Sequence, residues 1–135
     1  MKRLTLSVLL LTLVPLVMSN SAVAESKKTQ HKAHHIVIIW LKQHGNESMR
    51  RQYIKASKRL AKLPGVLAYN IGTVAAVKRD SSVHALDDSY DIAISSTFEN
   101  QQALENYLNH PEHNKIIQNA LKPLVDKYKI YDFVE

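Results

Sequence analysis

The chain has no cysteine among its 135 residues. That excludes a disulfide framework, a cysteine-assisted zinc cage and an anchor through a lipidated cysteine. It has only three glycines and four prolines, so each one marks a break in local structure. No internal repeat is visible, and no low-complexity tract beyond a short polar stretch near the N-terminus. The apolar run from Leu4 to Val17 falls short of the ~20 residues that a membrane-spanning helix needs.

What surrounds that run gives it a reading. Met1-Lys2-Arg3 is a short basic start, and Ala22-Val23-Ala24 is an A-x-A cleavage site. Together they describe a secretory signal peptide cut after Ala24, with an uncleaved anchor as the alternative. Residues 1–24 are then the signal, 25–33 a flexible polar leader, and 34–135 one domain. The mature chain is expected in the periplasm or secreted, with a core that carries its stability unaided by disulfides. Losing Lys2 and Arg3 leaves 16 basic against 12 acidic residues, a net charge of +4. Export argues against nucleic acid as a partner. Anionic envelope polymers, lipid headgroups or plain solubility account for the charge equally.

Past the leader, the pattern alternates between strand and helix periods. His35 to Leu41 is a strand that is apolar at both parities, so both of its faces should be covered. His44-Gly45-Asn46 is a turn, with Asn46 a helix cap. Met49, Tyr53, Ala56, Leu60 and Leu63 follow helical spacing until Leu63-Pro64-Gly65 stops the helix. Val66 to Val77 reads as a second strand with Gly72 at a bulge, and Arg79 to Ser89 as a polar loop. Tyr90 to Phe98 reads as a third strand whose apolar side carries Tyr90, Ile92, Ile94 and Phe98. Asn100 caps a second helix that buries Ala103, Leu104, Tyr107 and Leu108. A break at His110-Pro111 leads to another apolar stripe of Ile116, Ile117, Ala120 and Leu121, ended by Pro123, and Lys127 to Val134 closes the chain as a fourth strand.

The order β-α-β-β-α-β, with the second helix split, is an α+β ferredoxin-like pattern. Its helices cover one face of the sheet only. The two-faced first strand therefore asks for a second cover, and a second copy of the chain, forming a homodimer, is the simplest one.

The segment Tyr107-Leu108-Asn109-His110-Pro111-Glu112-His113 places a phenol and two imidazoles within seven residues. Pro111 lacks an N–H and drives His110 out of the helical region, so one helix ends and another begins there. His113 then falls in a first turn, where the positive helix end disfavours a charged imidazole. A neutral histidine beside a tyrosine suits proton transfer. The plainer reading is a histidine cap and a packing tyrosine.

The remaining polar clusters carry less. His31, His34, His35 and His44 form no recognised metal cage, so no metal site is assigned. His35 more simply satisfies a buried partner, and His84 is a solvated loop residue. Asp91 has the opposite parity to its apolar neighbours and reads as a fixer of the strand start or of a dimer contact. Six Lys and Arg residues coat the first helix as a solvated face, and its narrow apolar stripe argues against membrane insertion.

From His34 to Phe133 the chain resembles the stress-responsive A/B barrel domain (Dabb) family. The matching features are the His35-Ile36-Val37 strand, the Leu63-Pro64-Gly65 stop, Tyr90-Asp91 leading to Thr97-Phe98-Glu99, the Tyr107…His110-Pro111…His113 segment and the closing Tyr131-Asp132-Phe133. The resemblance implies a dimeric α+β barrel. It also implies a distant likeness to a plant member, olivetolic acid cyclase, which closes a polyketide without metal or cofactor. Its catalytic tyrosine and histidine fall on Tyr107 and His113, the histidine of its first strand on His35, and the histidine of its His-Pro pair on His110. A pocket tyrosine of the cyclase falls on Ala56, and a tryptophan falls near Leu124-Val125, so the pocket is reshaped. The candidate ligand-binding residues are His35, Val37, Ile39, Tyr53, Ile94 and His110, with no cofactor. Monooxygenases and haem-handling barrels are alike in architecture alone.

Two functions follow as expectations. One is an exported, stress-related dimer with a pocket for a small apolar or aromatic ligand. The other is a cofactor-independent acid–base lyase or cyclase using Tyr107 and His113. The N-terminal reading is the more directly checked. Intact-mass measurement of the exported protein should place the mature N-terminus at Glu25, and recovery of Met1 in a membrane fraction would show an anchor instead.

Overall fold

The computed structural model describes residues 31–80 and 85–135. The signal segment, most of the leader and His84 lie outside the described residues. Among the described residues, four strands and three α-helices follow in the order β1 (Ala33–Leu41), α1 (Glu47–Ser57), β2 (Val66–Gly72), β3 (Ile92–Phe98), α2 (Gln101–Leu108), α3 (Pro111–Ile116) and β4 (Val125–Val134). The strands form one sheet in the order β2-β3-β1-β4, and every neighbouring pair is antiparallel. This is the ferredoxin-like α+β arrangement.

Local chemistry sets the helix boundaries. Asn46 and Asn100 cap α1 and α2, their side-chain oxygens accepting from the N–H groups of Met49 and Ala103, each at 2.9 Å. Gly45 and Gly65 adopt positive φ (76° and 87°) at the entry to α1 and before β2, a backbone region that other residues occupy at a cost. Regular helix in the first segment stops at Ser57. Leu60–Lys62 then makes a single tight turn that still places Leu60 in the core. The helix after the Pro111 break is also not uniform. Lys122 N–H reaches back five residues to Ile117, so Ile117–Leu121 is a wide, π-type turn, and Lys122–Leu124 is tight. Regular α-helix ends at Ile116, before this wide turn, and Pro123, lacking the N–H that would bond to the Asn119 carbonyl, keeps it from resuming.

Strand limits differ from the sequence expectation in all four strands, and β1 begins at Ala33 rather than His35. β2 ends at Gly72 rather than Val77. It pairs with β3, whose first ladder residues are Ile92 and Ala93, so the residues just beyond Gly72 find no partner strand among the described residues. The irregularity in β2 lies between Val66 and Ala68, not at Gly72, which is the strand's last residue. β3 begins at Ile92 rather than Tyr90, and β4 begins at Val125, two residues early.

The core lies between the sheet and its single helix layer. From β1 and β3 it takes Ala33, Ile39, Leu41, Ile92, Ile94 and Phe98; from the helical side it takes Tyr53, Leu60, Leu104, Tyr107, Ile116 and Leu121. No described helix covers the opposite sheet face. There β1 presents Ile36 and Ile38, and its neighbour β4 presents Tyr131 and Phe133, both half exposed. Trp40, at the end of this face, lies beneath Lys127, whose Nζ is 4.5 Å from the ring centroid, and its indole donates to Ser89 at 3.0 Å. No described helix is long and apolar enough to cross a membrane.

One buried carboxylate ties these parts together. Asp91 is fully buried just before β3. It accepts from the backbone N–H of Leu41 (2.9 Å) and of Gly45 (2.8 Å), from Arg50 Nη2 (2.9 Å) and from His44 Nδ1 (3.1 Å). Burial alone would raise its pKa. The donors from Gly45, Leu41, His44 and Arg50 outweigh burial and hold it below the usual carboxylate value. The unfolded chain therefore binds this proton more readily than the folded one. Asp91's contribution to stability is complete above the ordinary value of 3.8 and is lost as the pH falls through its lower folded value. Asp91→Ala leaves the N–H groups of Leu41 and Gly45 without their acceptor and leaves Arg50 paired with Glu47 alone. It should cost about 3 kcal/mol in urea unfolding at neutral pH, and the deficit should narrow as the acid limb is reached.

Candidate functional site

The sheet and helix layer do not close completely. Between them lies a cavity of about 50 Å³, lined by His35, Val37, Tyr53, Leu60, Tyr69, Ile94, Ser96, Tyr107, His113 and Ile117. Its floor is the sheet: His35 and Val37 from β1, Ile94 and Ser96 from β3, and Tyr69 from β2. Its roof is Tyr53 from α1, Leu60 from the following turn, Tyr107 from α2, His113 from α3 and Ile117 from the π-type turn.

Tyr107 and His113 meet as a result of the Pro111 break. His110, extended at φ −66°, ψ 131°, caps α3 by accepting from the Glu112 N–H at 3.1 Å, and Pro111 follows as the first helical residue. The chain bends there, and the two rings come edge to face with centroids 4.7 Å apart at 65°. This is a ring contact rather than a hydrogen bond. Tyr107 also packs on Phe98 at 4.8 Å. His113 is held below the ordinary imidazole pKa, first by burial and then by the nearby His35, so it is neutral at pH 7. Its Nδ1 is buried with no hydrogen-bond partner among the described residues. The phenols are pushed the other way. Burial lifts Tyr69 to about 12 and raises Tyr53 and Tyr107 still further, so all three remain protonated donors.

The floor carries a row of polar side chains in register. Asp132 of β4 stands opposite His35 of β1, His35 opposite Ser96 of β3, and Ser96 opposite Tyr69 of β2. His35 Nδ1 donates to Asp132 Oδ1 at 2.6 Å. Because an ionised carboxylate only accepts, this bond puts the proton on Nδ1 and leaves Nε2 with a free lone pair in the neutral ring. At the other end of the row, the Tyr69 hydroxyl is hydrogen-bonded to that of Ser57 on α1. Ser96 Oγ is buried without a partner among the described residues. Asp132 also borders a second, more open concavity of about 330 Å³ between α2 and β4, beside Leu104, Leu108, Phe133 and Val134.

Among the residues picked from sequence, Tyr107, His113, His35, Val37, Tyr53 and Ile94 converge on the small cavity. Ile39 and His110 do not. Ile39 packs into the core farther along β1, and His110 is committed to capping α3. Leu60, Tyr69, Ser96 and Ile117 were not picked. Ser96 had a readable signal, since it interrupts the apolar parity of Ile92, Ile94 and Phe98 with a hydroxyl. Tyr69 and Ile117 depended on the strand register and on the π-type turn, which residue spacing does not disclose.

Known proteins share this architecture. A structure of a Dabb-family protein with a ferredoxin-like fold from Mesorhizobium loti is similar at a TM-score of 0.62 and 24% identity, covering 78% of this chain and 98% of that one. A dimeric ferredoxin-like protein of unknown function from Thermobifida fusca matches at 0.59 and 19%, covering 79% and 93%. A hydroxynitrile lyase from Passiflora edulis matches at 0.62 and 19%, covering 77% and 93%. These identities speak for the fold alone. No curated protein matches the chain. The model of the stress responsive A/B barrel domain matches residues 33–135, from the first residue of β1 to the last residue of the sequence. The chain belongs to the stress-responsive A/B barrel domain family.

Proposed function

We propose that this chain is an exported homodimer whose cavity beneath the helices binds a small, largely apolar molecule. The observation that carries the reading is the cavity lining: apolar walls on which two histidines and three protonated tyrosines converge. At about 50 Å³ the space takes only a few heavy atoms, since an apolar cavity that admits benzene measures about 150 Å³. An aromatic ligand therefore enters only if the roof yields, and the irregular turn at Ile117 is the least regular part of it. Titrating small aliphatic and aromatic probes while following the His35 and His113 imidazole signals by NMR tests the reading. Saturable shifts at both histidines are expected, and an unchanged pair for every probe up to its solubility would count against it.

The homodimer is supported by the bare sheet face and by a dimeric relative of the same fold. Ile38 lies on that face of β1. Ile38→Lys should shift the protein to monomer in sedimentation velocity at micromolar concentration, whereas Lys55→Glu on the exposed side of α1 should not.

Acid–base catalysis is the second reading. What favours it is the neutral His113 with its unpartnered nitrogen beside a buried phenol, in a fold shared with a hydroxynitrile lyase. His113 would take a proton and Tyr107 would donate to the oxygen on which charge develops. His113→Ala should leave the fold intact and abolish binding or turnover. Tyr107→Phe should keep the packing on Phe98 and lose only what the hydroxyl supplies. Because the folded protein holds His113 below 6.5, the unfolded state binds its proton first. Stability should therefore decline as the pH falls from 6.5 toward the folded value. NMR titration of the imidazoles checks this directly: a His113 that titrates at or above 6.5 would remove the basis for calling it a base.

A further inference from the structure

Ser96 is out of place on physical grounds. Every other residue on its side of β3 is apolar and buried, and Ser96 is itself fully buried, yet its hydroxyl has no partner among the described residues. An alanine would fill the same position without leaving a desolvated hydroxyl. The serine does not serve the sheet, whose ladder uses backbone groups. It does not bond to His35 or Tyr69 on either side, although it stands in register with both. What it does face is the cavity.

We propose that Ser96 and His35 are the hydrogen-bonding grip of this cavity, and that its ligand is a small neutral molecule carrying a hydroxyl group. This deepens the binding reading above and rests on it. The donor and acceptor pattern selects the group. In its neutral form His35 gives its Nδ1 proton to Asp132, so Nε2 offers a lone pair and calls for a donor. Ser96 offers an O–H and calls for an acceptor. A single hydroxyl answers both, donating to His35 and accepting from Ser96. A ketone or aldehyde satisfies only Ser96. A carboxylate or an ammonium ion would be desolvated in a cavity whose lining holds no Asp, Glu, Lys or Arg to pair with it. His113 Nδ1, also buried without a partner among the described residues, lies on the helix side and can meet a second polar atom of the ligand. The volume confines the unperturbed cavity to short alcohols, with phenols next in size.

The test compares hydroxyl-bearing probes with partners of similar shape that lack the hydroxyl: 2-propanol with acetone, and phenol with fluorobenzene. Binding to the full chain is followed through the imidazole signals of His35 and His113. In the native protein, each hydroxyl probe should bind at least fivefold more tightly than its counterpart. Ser96→Ala should erase that preference, and thermal melting should show a fold at least as stable, since the change removes an unpaired buried hydroxyl. Asp132→Ala, on an exposed strand, provides a second variant. It frees the His35 ring to exchange its tautomers and should narrow the preference while leaving the affinity for fluorobenzene unchanged. Equal affinity for both members of each pair, or a preference that survives Ser96→Ala, would overturn the proposal while leaving the binding reading in place. Probes of both kinds that shift neither histidine would overturn both.

Discussion

The fold hangs on the carboxylate of Asp91. Three segments far apart in sequence must meet at one end of the sheet: the end of β1, the turn into α1 and the start of β3. Backbone N–H groups of the first two and the Arg50 side chain all point to the same two oxygens. A buried charge is tolerable only when its hydrogen-bonding capacity is filled, and here it is filled by donors from the segments that must be joined to β3. The arrangement fixes α1 against the sheet through Arg50. Tyr53 lies one turn farther along that helix and forms part of the cavity roof. The anchor and the cavity are thus two ends of one rigid connection, although Asp91 is not among the residues that line the cavity.

The cavity inverts the usual distribution of polarity in such a sheet. The face packed on the helices should be the dry one, and most of it is. Across its middle, however, runs the row Asp132, His35, Ser96 and Tyr69, one residue from each of the four strands. The ends of the row are satisfied, by Asp132 on His35 and by Ser57 on Tyr69. Each satisfied pair also settles an orientation, the tautomer of one ring and the direction of one phenol. The Ser96 hydroxyl at the centre is left open, with the apolar Val37 and Ile94 beside it in the lining. Polar groups that are desolvated and oriented in advance lose little on meeting a ligand. That is the condition for a strong preference between ligands that differ by one hydroxyl.

Much of this was legible in the sequence. Periodicity alone gave the element order and the faces, because 3.6- and 2-residue repeats are direct consequences of helix and strand geometry. Asn46, Asn100 and the His110-Pro111 break were readable as well, since capping and proline chemistry act over two or three residues. The errors came where a distant partner decides. Thr73 to Val77 cannot be read as outside the sheet until the first ladder residue of β3, Ile92, is known, because Thr73 and Val74 by themselves suit a strand. Ile39 looked equivalent to Val37 because the two share a face, and only the position of the roof separates them. His110 looked equivalent to His113 because both are histidines at a helix start, but the first spends its ring nitrogen on the cap and the second does not.

The position of Asp132 resolves what would otherwise be a conflict in the cavity. His35 is oriented here by a carboxylate, yet a carboxylate enclosed in so small an apolar space would itself need a counter-ion. Placing it on β4 avoids this. β4 is an edge strand exposed along most of its length, and the Asp132 side chain remains nearly half exposed while His35 is buried. The charge keeps much of its hydration, and only its hydrogen bond enters the interior. The same exposure puts Asp132 on the rim of the open groove between α2 and β4, next to Phe133 and Val134. The polarity of the small cavity is therefore set from a strand that is open to solvent, through one hydrogen bond and not through any charge of its own.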